Sequence, residues 1–167
     1  MKPFLMIISG PAGSGKTTLG FQLKNSIKAC LISVDLLEKY LLKSKPDAVK
    51  LKYPLALDLA KYLLGKRMNV IIEGSFRLMN TRLETRKIAN ISNSRFIIVK
   101  CKCSKKIANS RIKVREKSYP GFYKPTANVD FFEKNCDPFV ETRYLTINTE
   151  TKLYENIESN QKIDSWS

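Results

Sequence analysis

The residues with the clearest chemistry stand near the start of the chain, where Gly10 to Thr17 read Gly-Pro-Ala-Gly-Ser-Gly-Lys-Thr. This spacing matches the pattern GxxxxGK[ST], whose glycines let successive backbone N–H groups point into one anion-binding concavity. Lys16 can reach the β- and γ-phosphates of a nucleotide, and the Thr17 hydroxyl can bind Mg²⁺. We therefore expect a nucleoside triphosphate to bind here. The predicted nucleotide-binding residues are Gly10, Ala12, Gly13, Ser14, Gly15, Lys16, Thr17 and Thr18.

Two acidic residues follow apolar runs that we predict to be strands, Asp35 after Cys30–Val34 and Glu73 after Asn69–Ile72. The C-terminal ends of neighbouring parallel strands lie side by side, so Asp35 should lie close to the γ-phosphate. Asp35 could accept the proton of an attacking hydroxyl, or it could only cap the helix beginning at Leu36. Glu73 could hold a water on Mg²⁺, or only form a hydrogen bond into the next loop.

Arg111 and Arg115 are four residues apart after the fourth apolar run, so a helix would place both on one face. Two guanidinium groups on one face suit the phosphoryl oxygens on which charge develops during transfer. The alternative is a solvated basic helix. The position after the fourth strand of a phosphate-binding fold favours a lid with a catalytic arginine.

Several classes of site are excluded by composition. The chain has no histidine, which excludes Ser-His-Asp and Cys-His nucleophilic sites and imidazole-bound metals. The four cysteines form no CxxC pair, so we expect free thiols in a reducing compartment. No uncharged run approaches the ~20 residues of a membrane helix. We expect a cytoplasmic protein with no membrane contact. The cysteines are Cys30, Cys101, Cys103 and Cys136.

The elements that must position these residues are strands alternating with helices. The predicted strands are Phe4–Ser9, Cys30–Val34, Asn69–Ile72, Arg95–Cys101 and Arg143–Ile147. Leucines recur every fourth residue between them, which indicates helices and therefore an α/β fold with a mostly parallel sheet. Prolines interrupt the segments 43–53 and 117–129, which we expect to be mobile connections. One domain should cover residues 1–167, with a small helical lid at about 104–130.

The combination of these motifs resembles a known group, the small P-loop kinases allied to the kinase domain of polynucleotide kinase, the zeta toxins and chloramphenicol phosphotransferase (AAA_33-like kinases). The resemblance covers most of the chain, from Phe4 to about Ile157. Its landmarks are Gly10–Thr17, Val34-Asp35, Tyr53, Ala60, the segment VIIEGSF at 70–76, Arg82, Arg111 with Arg115, and Leu145–Thr149.

The resemblance implies a three-layer P-loop NTPase fold with a five-stranded parallel sheet in the order 2-3-1-4-5, and it implies ATP and Mg²⁺ as cofactors. Asp35 takes the position of the base, and Arg111 or Arg115 that of the lid arginine. The sequence departs from the family pattern at two places. Glu73 replaces a common aspartate, which leaves the surroundings of the metal open. Asn148-Thr149 replaces a common Asp-Thr, which leaves the contacts to the nucleotide base open. The predicted catalytic residues are Lys16, Asp35, Arg111 and Arg115, and the predicted substrate contacts are Asp35, Arg77 and Arg82.

The acceptor is the open question. The formal net charge is +15, and from Lys100 to Lys124 nine basic residues face one acid, Glu116, with the aromatic residues Tyr119, Phe122 and Tyr123 nearby. Basic groups with aromatic platforms suit a single nucleic acid strand, so the acceptor could be a polynucleotide 5′-hydroxyl. The lysines could equally line an ATP lid and make no contact with the acceptor. The acceptor could then be a small hydroxylated metabolite, a nucleoside or an antibiotic. A third alternative is a non-catalytic, nucleotide-dependent RNA-binding module that does not need Asp35.

Overall fold

The computed structural model describes residues 2–44, 46–118, 128–140 and 144–150. Strands and helices alternate along them, as the periodicity predicts. The strands are β1 Phe4–Ser9, β2 Ala29–Ser33, β3 Asn69–Gly74, β4 Arg95–Lys102 and β5 Leu145–Asn148. The helices are α1 Lys16–Ser26, α2 Val34–Ser44, α3 Lys52–Gly65, α4 Met79–Ile91, α5 Lys105–Ser118 and α6 Val129–Asn135, with a 3-10 helix at Pro46–Leu51.

The strands form one five-stranded parallel sheet in the order β2-β3-β1-β4-β5. This confirms the expected fold class and strand order. Ser9 of β1 pairs with Gly74 on one side and Lys100 on the other, so β1 and β3 end at the same level and β4 extends two residues further. The loop after β1 therefore begins between the ends of β3 and β4, where ligands bind in open parallel sheets.

Both faces of the sheet are covered by apolar side chains, and this burial stabilises the sheet. On one face Leu5, Ile7 and Ile72 pack with the buried side of α3. On the other face Met6 and Ile8 pack with residues that include Leu19 and Leu23 of α1. Strands β1 and β3 are buried along most of their length, which explains why they appear in the sequence as continuous apolar runs.

The segment expected to be a mobile connection, 43–53, is corrected by the structure. Apart from residue 45, which is not described, it holds the end of α2, the 3-10 helix and the start of α3. Pro54 is the third residue of α3 and does not interrupt it, because the first N–H groups of a helix have no intrahelical partner.

Other boundaries differ less from the prediction. Val34 begins α2 instead of ending β2. In the segment 117–129, α5 extends to Ser118 and α6 begins at Val129, while residues 119–127 lie outside the described ranges. The expected lid and Tyr119, Phe122 and Tyr123 therefore fall partly or wholly outside them, as does the expected start of the fifth strand at Arg143. None of the helices in the described ranges has both the length and the apolar character needed to cross a membrane.

Candidate active site

The loop from Gly10 to Thr17 joins β1 to α1 at the C-terminal edge of the sheet. Gly13 and Gly15 have φ angles of 76° and 83°, in the left-handed region that favours glycine. A Cβ atom at Gly13 would lie 2.5 Å from the carbonyl oxygen of Ala108, which leaves no room for a side chain. Gly15 begins α1 without a side-chain cap, so the amides of the first turn are free to bind an anion.

Lys16 is buried, and its ammonium donates a hydrogen bond to the carbonyl of Pro11 at 2.9 Å. The Lys16 side chain therefore folds back over the loop that precedes α1. The Ser14 hydroxyl is buried with no hydrogen-bond partner among the described residues. Ala12 is also buried, whereas Thr18 is exposed on the first turn of α1. The structure brings the predicted nucleotide-binding residues together in one loop; their contact with a nucleotide stays a prediction.

Glu73 lies beneath this loop and is fully buried. Its Oε1 atom accepts hydrogen bonds from the Ser33 hydroxyl at 2.5 Å and from the Thr17 hydroxyl at 3.3 Å. Its Oε2 atom is buried without a partner in the ranges that the structure describes. Hard oxygen atoms of this kind, one of them unsatisfied, are the ligands that Mg²⁺ prefers. The residues present therefore fit a magnesium site at Thr17, with Glu73 beside it.

Burial raises the pKa of Glu73, and the charge of Asp35 adds to the rise, while Ser33, Lys16 and Thr17 oppose it. A carboxyl whose pKa is raised in the folded state favours folding below its ordinary pKa, and this contribution is lost as the pH rises through the folded value. Negative charge on Glu73 therefore destabilises the protein when no cation is bound.

Glu73→Gln is expected to relieve this cost. Without Mg²⁺, the free energy of unfolding of the variant should rise relative to that of the original protein as the pH increases above the ordinary pKa of a glutamate carboxyl, because only the original protein must ionise a buried carboxyl. Urea unfolding at several pH values measures the difference. A difference that is independent of pH would contradict the assignment.

Asp35 is half-buried in the first turn of α2. Ser33, not Asp35, caps this helix, because its hydroxyl oxygen accepts a hydrogen bond from the N–H of Leu36 at 3.2 Å. The alternative in which Asp35 only caps the helix is therefore wrong. The charge of Asp35 acts on both Glu73 and Tyr53, which places the carboxylate at the ends of β2 and β3, next to the phosphate-binding loop.

Tyr53 fixes the turn that follows β3. Its hydroxyl accepts a hydrogen bond from the N–H of Phe76 at 3.0 Å and lies 3.0 Å from the Ser75 hydroxyl. Phe76 is buried with φ 43°, a strained conformation for a side chain of its size, and its ring packs edge-on against Tyr53. Tyr53 thus fixes the turn that directly follows β3, the strand that carries Glu73.

Arg111 reaches the phosphate-binding loop from α5. Its guanidinium donates to the Gly13 carbonyl at 3.3 Å, to the Thr149 hydroxyl at 3.1 Å and to the Thr149 carbonyl at 2.6 Å. The buried Thr149 hydroxyl donates in turn to the Ser14 carbonyl at 2.8 Å. Arg111 is thus beside the predicted site, and its contacts there connect the loop to the end of β5. Arg115 lies one turn further along α5 and is half-buried.

Arg82, expected to contact a substrate, is fully buried in α4. Its guanidinium donates to four backbone carbonyls, two from the turn after β3 and two from the segment after α6, and it lies 4.2 Å from the ring of Phe139. These contacts favour a structural role for Arg82 over the expected one. Arg77 is half-buried, and its guanidinium donates to the Asn135 carbonyl at 3.2 Å.

Arg82→Met should reduce the free energy of unfolding by roughly 3 kcal/mol, because several buried carbonyls lose a charged donor. Arg86→Met is the matched control, since Arg86 is exposed one turn later on the same helix. It should change stability by less than about 0.5 kcal/mol. Chemical denaturation of both variants checks the difference, and equal effects would refute the structural role of Arg82.

A cavity of about 370 Å³ opens beside the phosphate-binding loop. Pro11 of the loop forms one wall, the end of β4 from Lys100 to Cys103 forms the floor, and α6 with Phe139 closes the other side. Its volume is in the range of sites for small molecules. The cavity therefore offers a place for a second ligand next to the predicted γ-phosphate position.

Two residues of this site were not predicted from the sequence as site residues. Ser33 both caps α2 and donates to Glu73, and Thr149 joins β5 to the loop. Ser33 directly precedes the predicted Val34-Asp35 pair, so the cap preference of serine was a signal that could have identified it. Thr149 belongs to the Leu145–Thr149 landmark of the family resemblance, but that landmark gave no contact for its side chain.

Comparison with known proteins agrees with this architecture. Residues 5–139 match the family model described as an AAA domain. No curated protein matches the chain. Among solved structures, a candidate kinase from Chloroflexus aurantiacus J-10-fl aligns with a TM-score of 0.76 and 18% identity, covering 97% of this chain and 98% of the other.

Two further structures align over nearly the whole chain. A gluconokinase from Sinorhizobium meliloti 1021 gives a TM-score of 0.64 at 18% identity, covering 94% of this chain and 89% of the other. The Mycobacterium tuberculosis APS kinase, solved with AMPPNP and APS, gives 0.67 at 16% identity, covering 98% and 96%. The resemblance to small P-loop kinases is confirmed at the level of family and fold. The chain belongs to the AAA domain family, AAA_33, and has the P-loop fold of these kinases.

Proposed function

We propose that the protein is an ATP-dependent phosphotransferase that moves the γ-phosphate to an acceptor hydroxyl. The observation that supports this most is the position of Asp35. Its carboxylate is not needed to cap α2, and its charge acts on Glu73 directly beneath the phosphate-binding loop. A carboxylate at this edge of the sheet is suited to accept the proton of an attacking hydroxyl.

In the proposed reaction the loop amides and the first turn of α1 bind the phosphates, and Lys16 exchanges the Pro11 carbonyl for the β- and γ-phosphates. Thr17 would hold Mg²⁺ directly, and Glu73 would hold it through water. The metal neutralises charge on the phosphates when bound. Asp35 orients the acceptor hydroxyl and takes its proton. Arg111 or Arg115, both on α5, would contact the phosphoryl oxygens.

A small hydroxylated molecule is the acceptor that we propose first, because the cavity beside Pro11 has the volume for one. A polynucleotide 5′-hydroxyl is the second candidate. It is supported by a row of exposed lysines at the end of β4 and along α5, next to the loop. These are Lys102, Lys105, Lys106, Lys113 and Lys117.

Transfer of labelled γ-phosphate tests the proposal and separates the candidates. The protein, Mg²⁺ and labelled ATP are incubated with a panel of hydroxylated metabolites, nucleosides and aminoglycosides, and separately with a 5′-hydroxyl oligonucleotide at moderate salt. A labelled small molecule supports the first candidate, and a labelled oligonucleotide supports the second. Tight, salt-sensitive RNA binding without transfer to any acceptor would instead favour the RNA-binding module.

A further inference from the structure

The floor of the cavity beside Pro11 carries a cation for which the proposed phosphate transfer has no use. Lys100 is half-buried near the end of β4, in register with Ser9. Its ammonium lies 4.5 Å from the centre of the Phe139 ring. In the described part of the chain, no carboxylate lies within ion-pair distance of it. The ring offsets only part of the cost of removing an ammonium from water.

The other polar groups near the cavity are already engaged or lie at its rim. The carboxylate of Asp137 accepts a hydrogen bond from the N–H of Met79 at 2.7 Å. The guanidinium of Arg82 is bound by backbone carbonyls. Glu133 and Lys102, both exposed at the rim, carry opposite charges.

The thiols in the walls add no charge. Burial raises the pKa of Cys101 to about 12 and raises the pKa values of Cys103 and Cys136 above their ordinary range. All three thiols are therefore neutral near pH 7. Asp137 keeps its negative charge but directs one carboxylate oxygen to the N–H of Met79. In the described part of the lining, Lys100 is the half-buried cation with no carboxylate within ion-pair distance, and its ammonium is therefore the group that can bind an anionic ligand.

We propose that the acceptor carries an anionic group, a carboxylate or a phosphate, which binds Lys100 in this cavity while its hydroxyl faces the phosphate-binding loop. This inference rests on the proposed phosphotransferase function and adds a substrate class to it. Charge-assisted hydrogen bonds from an ammonium to such oxygens are short and strong, and they are strongest where water is partly excluded. The cavity volume of about 370 Å³ accommodates a small molecule of this kind.

Paired probes that differ only in the anionic group test the inference. Binding of D-gluconate is compared with that of D-sorbitol, and binding of D-glucose 6-phosphate with that of D-glucose, by ligand-observed NMR on the protein with Mg²⁺ and AMPPNP. We expect at least one anionic probe to bind about tenfold or more tightly than its neutral partner. Lys100→Met should abolish this preference, and Lys100→Arg should keep it.

Lys66→Met is the matched control, because Lys66 also lies over an aromatic ring, that of Tyr62, but at the end of α3 and outside the cavity. It should keep the preference. Thermal melts of all variants show whether they fold. The inference is overturned if no anionic probe is preferred, or if the preference survives in a folded Lys100→Met variant.

Labelled-phosphate transfer is measured in parallel, so that the two proposals can fail separately. Anionic probes that bind through Lys100 while no acceptor is phosphorylated would contradict the phosphotransferase and not the anion site. Transfer to a neutral acceptor at a rate unaffected by Lys100→Met would contradict the anion site and not the phosphotransferase. A 5′-hydroxyl oligonucleotide serves as a further probe, and its use as acceptor with unchanged kinetics in Lys100→Met would also overturn the inference.

Discussion

Asp35→Asn is expected to reduce the rate of phosphate transfer by roughly 10²- to 10⁴-fold while leaving the affinity for ATP nearly unchanged. Asparagine keeps the shape of the side chain but cannot accept the proton of the acceptor hydroxyl. Helix α2 should remain intact, because its cap is the hydroxyl of Ser33. Steady-state transfer kinetics and nucleotide binding to the same preparation measure the two quantities.

The matched control for this variant is Asp58→Asn, which removes one carboxylate from an exposed position on α3. It should leave both transfer and ATP binding unchanged. If Asp35→Asn turns over substrate at the original rate, Asp35 is not the base. Slow ATP turnover that is unchanged in this variant, together with tight retention of RNA, would favour the non-catalytic RNA-binding module.

Lys16→Ala is expected to abolish nucleotide-dependent activity, whichever acceptor is used. The variant removes the one charged side chain that the loop presents to the β- and γ-phosphates. Loss of a charge-assisted contact should weaken ATP binding roughly 10- to 100-fold. Loss of electrostatic stabilisation in the transition state should add roughly 10²-fold or more in rate.

Lys24→Ala serves as the control, because Lys24 lies on the same helix, where its ammonium contacts the ring of Phe21. It should bind ATP normally. Titration with a fluorescent ATP analogue compares the two variants, and thermal melts confirm that both fold. Normal ATP affinity and activity in a folded Lys16→Ala protein would refute the phosphate-binding role of the loop.

The strands and the loop were predictable because their signals are local. Each central strand is buried on both faces, so it appears as a short apolar run, and the boundaries of β1 were predicted to the residue. The glycines of the phosphate-binding loop are required by backbone angles that other residues rarely adopt. The strand order required the family resemblance in addition.

The pairing of side chains across the fold was not predictable in the same way. Ser33 donates to Glu73 across forty residues of sequence, and Arg82 reaches Pro138 across fifty-six. These contacts depend on which strands and loops become neighbours, so residue type alone could not separate a structural arginine from one that binds substrate. The sequence placed Lys100 in a run of basic residues, and only the packing of Phe139 over it shows that it lies in a cavity.

A crystal structure of the protein with Mg²⁺ and AMPPNP is the decisive experiment. We expect the γ-phosphate to accept hydrogen bonds from the backbone amides between Gly10 and Thr17, with the ammonium of Lys16 moved from the Pro11 carbonyl to the phosphates. The Asp35 carboxylate should face the γ-phosphorus across a gap wide enough for one hydroxyl group. A nucleotide bound elsewhere, or an Asp35 carboxylate turned away from the γ-phosphate, would contradict the proposed phosphotransferase.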